Sequence, residues 1–494
     1  MNPLALKRQF IALAAALAAS AAVPQQPLDL NPTFSTNIAT FGTEGSQPYV
    51  TSLVILPDGD LMISGAIRFT DQWITRGYAR LNQNGSRHDP FAEGSPGGGK
   101  LTLWNNRLYV GNMGLVRRID FNGTLDNDFD LGPNLSGLFN PIQGGDYHVY
   151  PDGSVVVVGF HTVNDPDHGQ VGSRSMIWFQ NNGYLDTTKT HRYANSTIYT
   201  MAEQPDGKFI LSGSATEWDG QPVANTFRVH PDGSLDTTFN AAITWGYLQG
   251  ITVMDDGRIL CSGLVKTEYS SLDTLHVVRL FPDGSFDPTF NNTLIVQSEQ
   301  FGQFLFLRHT LLPDGRIALN GNFDTVEGHE RKGLLVLDDN GFLPEAPLMG
   351  SGCGEYEDFT GLMRHGTNGL VISDDGSIYI YGSYLGYDDG TNNYTNQRFV
   401  SRLYGLSVGV EEREIQQLQM HPNPAQNAVT ITLPERMRKV ELIVLDALGQ
   451  VVYQQRIGSA EQFNLAITGW PTGLYQVQIL SDGMRKAAGK LIIE

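Results

Sequence analysis

The residues that could do chemistry in this sequence are few and lie mostly in loops. His161 and His168 flank Asp165 and Asp167 within one short segment. Imidazole and carboxylate together form a donor set that suits transition metals. A polar loop insertion uses the same residue types, and we favour that interpretation. No metal site is therefore predicted at this loop.

A second group of side chains offers oxygen ligands of the kind that calcium prefers. Asp388 and Asp389 precede Asn392 and Asn393, but their order differs from that of an EF-hand loop. We predict no cofactor, with calcium at this loop as the alternative. The sequence also lacks a Gly-x-Ser-x-Gly elbow, a His-Glu-x-x-His motif and a phosphate-binding loop, so no catalytic residue is predicted.

Aromatic side chains in the loops are the candidate ligand-binding residues. Their rings can stack on a sugar or contact a protein. The alternative for each of them is a packing role, in which the ring holds its loop against the strands beneath. The candidates are Trp73, Trp218, Trp245, Tyr247, Tyr387 and Tyr394.

The composition excludes several classes of protein. Of the 494 residues 40% are hydrophobic, which excludes wholesale disorder. The formal net charge is −19, and such an acidic chain repels a phosphate backbone, so no nucleic-acid partner is predicted. Cys261 and Cys353 cannot supply a four-thiolate zinc site, and a single disulfide between them remains the alternative to two free thiols.

The first residues predict an export signal. Lys7 and Arg8 precede an apolar stretch over 10–17, and Ala19-Ser20-Ala21 supplies small residues for a cleavage site. We predict a signal peptide over residues 1–21 with cleavage after Ala21; a buried N-terminal helix is the alternative. The apolar stretch is too short to span a bilayer, and no transmembrane segment is predicted elsewhere.

A short phrase built on Asp-Gly recurs about seven times along the chain, at intervals of about 50 residues. Its first copy is Pro57-Asp58-Gly59, followed by an apolar run and a Ser-Gly pair. A second marker, Asn-Gly or Asp-Gly before Leu-Asp-x-x-Phe, follows in most copies. The turn positions of the first marker are Gly59, Asn106, Gly153, Gly207, Gly257, Gly315 and Gly376.

These markers predict the architecture of the repeats. Asp-Gly and Asn-Gly favour hairpins because glycine adopts positive φ without steric cost. Each repeat therefore predicts four short antiparallel strands, and radial stacking of such sheets gives a β-propeller. The last repeat lacks its fourth strand, and residues 27–34 resemble that strand. We predict an all-β protein with a seven-bladed β-propeller of four-stranded antiparallel blades over residues 22–405, closed by the N-terminal strand. Eight blades and an open solenoid are the alternatives.

The repeats resemble a known family. Leu-Asp-x-x-Phe, an apolar run, Pro-Asp-Gly-Lys and a strand ending in Ser-Gly are similar to the delta-60 repeats of bacterial propeller-like proteins. The resemblance covers nearly all of the chain before residue 405. Its motifs are turns and strands, so it implies a fold and leaves the chemistry open.

The remaining residues differ in pattern. Residues 406–418 break the repeat and are predicted to be a linker, and residues 419–494 contain about seven short strands, which predict a small Ig-like β-sandwich. This segment resembles the C-terminal sorting domain of type IX secretion cargo from Gram-negative bacteria. The matching positions are Pro422, Asn423, Pro424, Asp446, Gly449, Pro471, Gly473 and Tyr475.

The second resemblance implies a destination. It implies export through the periplasm and docking of the C-terminal domain on the outer-membrane secretion machinery. It also implies removal of that domain, after which the protein is released or attached to surface lipopolysaccharide. An ordinary Ig-like binding domain is the alternative. We therefore expect a secreted or surface-attached protein.

The topology predicts where a ligand binds. Both Asp-Gly turns of a repeat fall on one face of the propeller, and the longer, variable connections fall on the opposite face. Because function concentrates on loops held by a rigid scaffold, the long-loop face is predicted to bind an extracellular glycan or protein. The net acidity favours a neutral or cationic ligand. A secreted glycosidase or lyase with acidic residues at the mouth of the central channel is the alternative.

Overall fold

The computed structural model describes residues 26–40, 48–91, 98–112, 115–130, 137–300, 302, 305–345, 348–357, 362–406, 416–437, 440–446, 451–457, 460–481 and 484–494. These residues form two compact units, one over Pro27–Leu406 and one within Ser407–Glu494. The predicted signal peptide with its cleavage at Ala21, most of the predicted linker, and Gly449 lie outside the described residues.

The described residues are almost entirely strands and turns. One 3-10 turn, Pro166–His168, is the single helical element among them. None of the described segments forms a helix with the length and hydrophobicity needed to cross a membrane. The protein is therefore all-β, as predicted.

The first unit is a succession of antiparallel sheets of three or four strands, which we number 1 to 7 in chain order. Their strands are Tyr49–Ile55, Leu61–Ile67 and Arg76–Leu81 in sheet 1; Leu101–Trp104, Arg107–Asn112, Leu115–Ile119 and Leu125–Asp130 in sheet 2; Phe139–Val149, Val155–Asp165 and Gln170–Phe179 in sheet 3; Ile198–Glu203, Phe209–Gly213 and Thr226–Val229 in sheet 4; Trp245–Val253, Ile259–Lys266 and Leu275–Leu280 in sheet 5; Leu307–Leu311, Ile317–Gly321 and Leu334–Leu337 in sheet 6; and Thr367–Ile372, Ile378–Asp388, Asn393–Leu403 and the short Gly352–Cys353 in sheet 7.

Short two-residue strands decorate the longer connections of this unit. They are Glu217–Trp218 with Gln221–Pro222; Val296–Gln297 with Thr325–Val326 and His329–Glu330; and Tyr356–Glu357 with Met363–Arg364.

The Asp-Gly turns join the first strand of a sheet to the second. In sheet 1, Gly59 adopts a φ of 84°, and its amide donates to the carbonyl of Leu56 at 2.9 Å. The Asp58 carboxylate accepts the amide of Asp60 at 3.2 Å. The same carboxylate-to-amide bond recurs at the equivalent turns of sheets 3 to 7. The repeated Asp residues therefore stabilise turns. We call this end of the sheets the turn edge, and the opposite end the loop edge.

The fourth strand of most predicted blades is shorter than expected. Sheet 2 has a full fourth strand, but sheets 1, 3, 4 and 5 have only isolated bridges there, such as that from Leu280 to Phe286. The next residue, Asp287, accepts the amide and the hydroxyl of Thr289 at 2.9 and 2.6 Å. This local bonding competes with the ladder and ends the pairing. Four regular strands are thus corrected to three strands and a bridged edge segment in these sheets.

A segment near the N terminus supplies the corresponding edge of sheet 7. Leu30 is buried and forms an antiparallel bridge to Leu403, the last residue of the third strand. The side chain of Asn31 then accepts the amide of Thr33 at 3.0 Å, as Asp287 does for its own threonine in sheet 5. The N-terminal segment therefore occupies in sheet 7 the place that the Leu-Asp-x-x-Phe marker occupies elsewhere.

Neighbouring sheets are joined by hydrogen bonds. Ser212, in the second strand of sheet 4, accepts the amide of Leu248 from sheet 5 at 3.0 Å. Gly213 follows it, and a Cβ there would lie 2.2 Å from the carbonyl oxygen of Thr197, just before the first strand, so this position of the repeat requires glycine. Between sheets 7 and 1, Asn368 donates to the carbonyl of Val50 at 2.7 Å.

The Leu-Asp-x-x-Phe marker forms a buried ion pair with an arginine of the third strand. In sheet 5, Arg279 Nε donates to Asp287 at 2.7 Å, and the guanidinium lies 4.8 Å from the ring centre of Phe290. A second nitrogen of Arg279 donates to the carbonyl of Asp339, beside sheet 6, at 2.7 Å. Burial raises the pKa of Asp287, but hydrogen bonds from a threonine and two arginines outweigh it and hold that pKa well below its ordinary value. The corresponding residues of sheet 4 are Arg228, Asp236 and Phe239.

The hydrophobic core lies between neighbouring sheets. Leu260 of sheet 5 packs with Leu307 and Leu335 of sheet 6. Leu53 of sheet 1 packs in the same manner with Tyr379 of sheet 7. Apolar side chains are therefore buried between the first and last sheets as they are between consecutive ones.

The second unit contains two further sheets around a core of its own. Valine, isoleucine and leucine side chains from both sheets form that core. The strands are Gln416–Gln417, Met484–Ile493, Gly473–Ser481, Val440–Leu445 and Val451–Ile457 in one sheet, and Gln419–His421, Ala428–Met437 and Ala460–Ala466 in the other.

The two cysteines lie in different sheets. Cys261 lies in sheet 5 and Cys353 in sheet 7, and both are buried free thiols. The alternative of a disulfide between them is therefore excluded.

Candidate functional site

A cleft of about 450 Å³ opens at the loop edge between sheets 4 and 5. Tyr199 from the first strand of sheet 4 lines one side, and Trp245 and Tyr247 from the first strand of sheet 5 line the other. We call it the aromatic cleft. It lies where the first strands begin and the second strands end, away from the Asp-Gly turns.

Strand geometry presents the aromatic rings of the cleft. Trp245 and Tyr247 are two residues apart, so their side chains project from the same face of the strand. The Tyr247 ring meets the Tyr199 ring edge-on with 5.2 Å between centres, and the Trp245 ring meets that of Tyr269 edge-on at 5.6 Å. Trp245 remains 40% exposed and Tyr247 37% exposed. Neighbouring rings thus hold in place two aromatic faces that solvent can reach.

Polar groups complete the lining of the cleft. Lys266 donates to the carbonyl of Ser271 at 2.8 Å, and its ammonium lies 5.4 Å from the centre of the Trp245 ring. Serine, threonine and asparagine side chains supply further donors and acceptors. None of the described lining residues carries a carboxylate or an imidazole. The cleft can therefore stack and hydrogen-bond a ligand, and its described lining lacks the carboxylate and imidazole groups that most often serve as general acid or base.

Two of the six predicted ligand-binding aromatics are buried, which corrects their assignment. Trp218 is fully buried and donates from its indole nitrogen to the carbonyl of Gly233 at 2.9 Å. Tyr387 is also fully buried and donates to the carbonyl of Leu28 at 3.2 Å, and burial raises the pKa of its phenol. Both rings fold back over the strands and fasten loops, so they offer no surface to a ligand.

The other four predicted aromatics are divided between the cleft and separate places. Trp245 and Tyr247 lie together in the cleft. Trp73 is 85% exposed in a loop of sheet 1 and does not line the cleft. Tyr394 is half-buried against the core between sheets 6 and 7.

Three residues of this site were not predicted from the sequence: Tyr199, Tyr269 and Lys266. Tyr199 lies in a first strand, where an aromatic residue is ordinarily read as core. Tyr269 and Lys266 lie at the connection between the second and third strands of sheet 5. The aromatic residue in that connection, Tyr269, was the one signal that the sequence offered.

The two predicted alternatives for metal binding are occupied by other interactions. His161 is buried against Phe139, with 5.3 Å between ring centres, and burial lowers its pKa to about 4. His168 instead pairs with Asp165 at 2.9 Å, so the two histidines do not converge. In the other loop, Asp388 accepts the amide of Ser351 at 2.9 Å, and its second oxygen accepts a turn amide at the same distance.

A further cluster of ionisable groups lies at the loop edge near sheets 6 and 7. The ring of His365 lies between two carboxylates, with Nε2 3.2 Å from Asp324 and Nδ1 3.3 Å from Glu355. Lys332 pairs with Glu355 at 2.8 Å. One ligand atom each from Asp324, Glu355 and His365 lies within 4.8 Å of the others, a spacing that would suit a metal ion, but each carboxylate already pairs with another group of the protein. The cluster therefore forms an internal charge network, in which burial lowers the pKa of His365 and both carboxylates oppose that shift.

The predicted sorting positions lie in the second unit. Asn423 donates to the carbonyl of Lys490 at 2.7 Å and accepts the amide of Ile492 at 2.9 Å, which fastens the two ends of this unit together. Tyr475 is buried and donates to the carbonyl of Pro471 at 2.8 Å. The remaining described positions are Pro422 and Pro424, which are exposed, Gly473, also exposed, and Asp446, which is half-buried.

Comparison with known families accounts for both units. Residues 204–239 and 255–290 match the family described as Domain of unknown function (DUF5122) beta-propeller, and residues 419–494 match the Secretion system C-terminal sorting domain. Both resemblances seen in the sequence are thus confirmed: part of the repeat region matches a β-propeller family model, and the C-terminal segment matches a secretion sorting domain. Such a domain indicates secretion or surface localisation and an interaction with the secretion machinery.

Similar solved structures include the surface component PorZ of the type IX secretion system of Porphyromonas gingivalis, at 12% identity and a TM-score of 0.37, covering 93% of this chain and 68% of that one. The extracellular domain of BT4673 from B. thetaiotaomicron is similar at 11% identity and a TM-score of 0.40, covering 96% of this chain and 58% of that one. This chain spans less than two thirds of the BT4673 domain. Likenesses of this degree carry no functional information. Among curated proteins, none matches this sequence.

Proposed function

We propose that this protein is a secreted or surface-attached, non-catalytic binding protein whose aromatic cleft takes a glycan. One observation carries the proposal. Trp245 and Tyr247 present exposed ring faces beside polar side chains, in a cleft whose described lining has no carboxylate or imidazole. Aromatic faces bind the apolar faces of sugar rings, and flanking hydroxyl and amide groups bond sugar hydroxyls.

A glycan suits this cleft better than a protein ligand does. Its volume of about 450 Å³ lies in the range of small-ligand sites, whereas a protein interface needs a broad surface. Neighbouring rings hold Trp245 and Tyr247 in place, so little side-chain entropy is lost on binding. The described lining residues of the cleft also carry no negative charge, so the cleft is compatible with neutral sugars.

The alternative of a glycosidase requires two carboxylates that face a common pocket. Asp324 and Glu355 form a close pair at the loop edge, but His365 lies between them. Asp324 also accepts the amide of Glu299 at 2.7 Å, and Glu355 is paired with Lys332. Both carboxylates are therefore already paired with other groups of the protein. This favours a binding function over a hydrolytic one.

We also propose that the first unit is a seven-bladed propeller over residues 22–405, closed by the N-terminal strand. The core between sheets 7 and 1 and the bridge from Leu30 to Leu403 support closure. The bond from Asn368 to Val50 supports it at the inner strands. The predicted linker over 406–418 would then be shorter at both ends, because Leu406 belongs to the first unit and Gln416–Gln417 pair with Met484–Ile493 in the second. Residues 419–494 would contribute the rest of an Ig-like sandwich of two sheets.

Binding is tested with a glycan array on the purified full chain, beside the Trp245→Ala variant. The proposal expects a defined set of glycans to bind, and expects the variant to lose them by tenfold or more in affinity, about the effect of removing an aromatic anchor. Its matched control is Trp73→Ala, which removes an exposed tryptophan outside the cleft and leaves binding unchanged. Equal loss in both variants would refute the assignment of the cleft.

Export is tested separately. We propose that an N-terminal signal peptide cleaved after Ala21 leads the protein to the periplasm, and that residues 419–494 deliver it across the outer membrane. Deletion of residues 419–494 is expected to leave the protein in the periplasm, as measured by cell fractionation. Surface delivery of the truncated chain would contradict this part of the proposal.

A further inference from the structure

A second pocket, of about 520 Å³, lies where the first strands of sheets 1, 6 and 7 begin. We call it the arginine pocket. Its lining includes Tyr49, Thr51, Phe306, Arg308, Asn322, Arg364, Asn368 and also His365, whose ring contacts Asp324 and Glu355 behind the pocket. None of its described lining residues is acidic, although the whole chain carries a formal charge of −19.

Arg308 differs from the arginines that stabilise the sheets. Arg279 is buried and forms an ion pair with Asp287 at 2.7 Å. The guanidinium of Arg308 instead lies 5.0 Å from the ring centre of Phe306. Its Nε is buried without a hydrogen-bond partner, and no described carboxylate pairs with its side chain. A partly buried cation without a counter-charge is costly, and its unsatisfied Nε calls for a partner that an anionic ligand can supply.

The groups beside Arg308 suit a ligand that also has hydroxyl groups. The side-chain oxygen of Asn322 accepts the amide of Phe306 at 2.6 Å, which leaves its amide nitrogen as a donor. The side-chain nitrogen of Asn368 donates to the carbonyl of Val50 at 2.7 Å, which leaves its oxygen as an acceptor. The ring of Tyr49, 39% exposed, adds an aromatic surface. The pocket thus combines a cation, a donor, an acceptor and an aromatic face.

We propose that the arginine pocket binds the carboxylate of an acidic sugar of the uronate class. The planar guanidinium of Arg308 matches a carboxylate with two parallel hydrogen bonds, a geometry that a lysine cannot supply. The asparagine amides take the sugar hydroxyls. This site is separate from the aromatic cleft and does not depend on its function.

The test titrates the full chain with glucuronate, glucose and sulfate by ligand-observed NMR and calorimetry. We expect glucuronate to bind at least tenfold more tightly than glucose or sulfate. Arg308→Gln is expected to weaken glucuronate by about tenfold or more, and Arg308→Lys to weaken it as well, because the paired geometry is lost. Arg316→Gln, at a turn on the opposite edge, and Trp245→Ala, in the aromatic cleft, serve as matched controls and are expected to leave glucuronate binding unchanged.

Melting temperature distinguishes a binding role from a structural one. Because Arg308 has no carboxylate partner to lose, Arg308→Gln is expected to keep or raise the melting temperature of the free protein. Glucuronate affinity that is unchanged in both Arg308 variants would overturn the proposal. Equal binding of glucose would overturn the role of the charge, and equal binding of sulfate would overturn the carboxylate assignment.

Discussion

The turn edge and the loop edge of the same sheets use their polar residues differently. At the turn edge, carboxylates such as Asp58 and Asp287 accept backbone amides or pair with arginines. At the loop edge, Trp245 and Tyr247 keep exposed faces, and Arg308 has no carboxylate partner among the described residues. Side chains whose bonding is satisfied within the fold stabilise it, and those left unsatisfied are the ones available to a ligand.

Both edges depend on an intact scaffold of sheets, to which the N-terminal segment contributes. Deleting residues 27–35 removes Leu28, Leu30 and Phe34, which are all buried. We expect a loss of about 5 kcal/mol or more in the free energy of unfolding, because three large apolar side chains leave the core. Differential scanning calorimetry measures this, and size-exclusion chromatography should show aggregation from the exposed sheet edge. An unchanged melting temperature would contradict closure by this segment.

The turn edge is broken most directly at its buried ion pair. Asp287→Asn is expected to cost about 3 kcal/mol at pH 7, because Arg279 keeps its charge in a buried site. The folded-state pKa of Asp287 lies below the ordinary 3.8, so its contribution is present above that pH and is lost as pH falls through the folded pKa. The difference in melting temperature between wild type and variant should therefore narrow below about pH 4. A constant difference down to pH 2 would mean that the charge of Asp287 does not matter.

The loop edge should respond in the opposite manner. Trp245→Ala is expected to change the free energy of unfolding by less than about 1 kcal/mol, since the residue is 40% exposed and lies outside the core clusters, and to weaken glycan binding by tenfold or more. Binding is measured on the array hits by calorimetry, and stability by chemical denaturation. Unchanged glycan affinity in the variant would contradict the assignment of the aromatic cleft as the binding site.

The smallest effect is expected at an exposed turn. Asp314 accepts the amide of Arg316 at 3.1 Å and is largely open to solvent. Asp314→Ala should therefore cost about 1 kcal/mol of stability and leave glycan affinity unchanged. A change in affinity would show that the two edges are coupled.

Most of the fold could be predicted from the sequence because its signals are local. Each Asp-Gly turn carries its own hydrogen bonds, as at Asp58 and Gly59, so a short phrase specifies a hairpin. The length of the fourth strand could not be predicted in this way. It is set by a competition between two kinds of hydrogen bond that the same residues can form. One kind pairs the fourth strand with the third, and the other runs from Thr289 to the Asp287 carboxylate.

The site was harder to predict because exposure is a tertiary property. Trp218 and Trp245 both occur near the loop edge, yet one is fully buried and the other 40% exposed. A two-residue strand folds Trp218 back onto its sheet, and the Asp219-Gly220 pair at its turn is itself a hairpin signal, but it lies outside the repeated markers on which the prediction was based. The unpaired state of Arg308 is likewise visible only once its neighbours are in place.

The separation of roles between the two edges is tested most directly by one measurement on two double variants. Trp245→Ala with Tyr247→Ala alters the loop edge, and Asp232→Ala with Asp314→Ala alters the turn edge. Glycan affinity and melting temperature are measured for both on the same preparations. We expect the aromatic double variant to lose affinity at an unchanged melting temperature, and the carboxylate double variant to melt at a lower temperature with unchanged affinity. The reverse pattern would contradict this separation of roles.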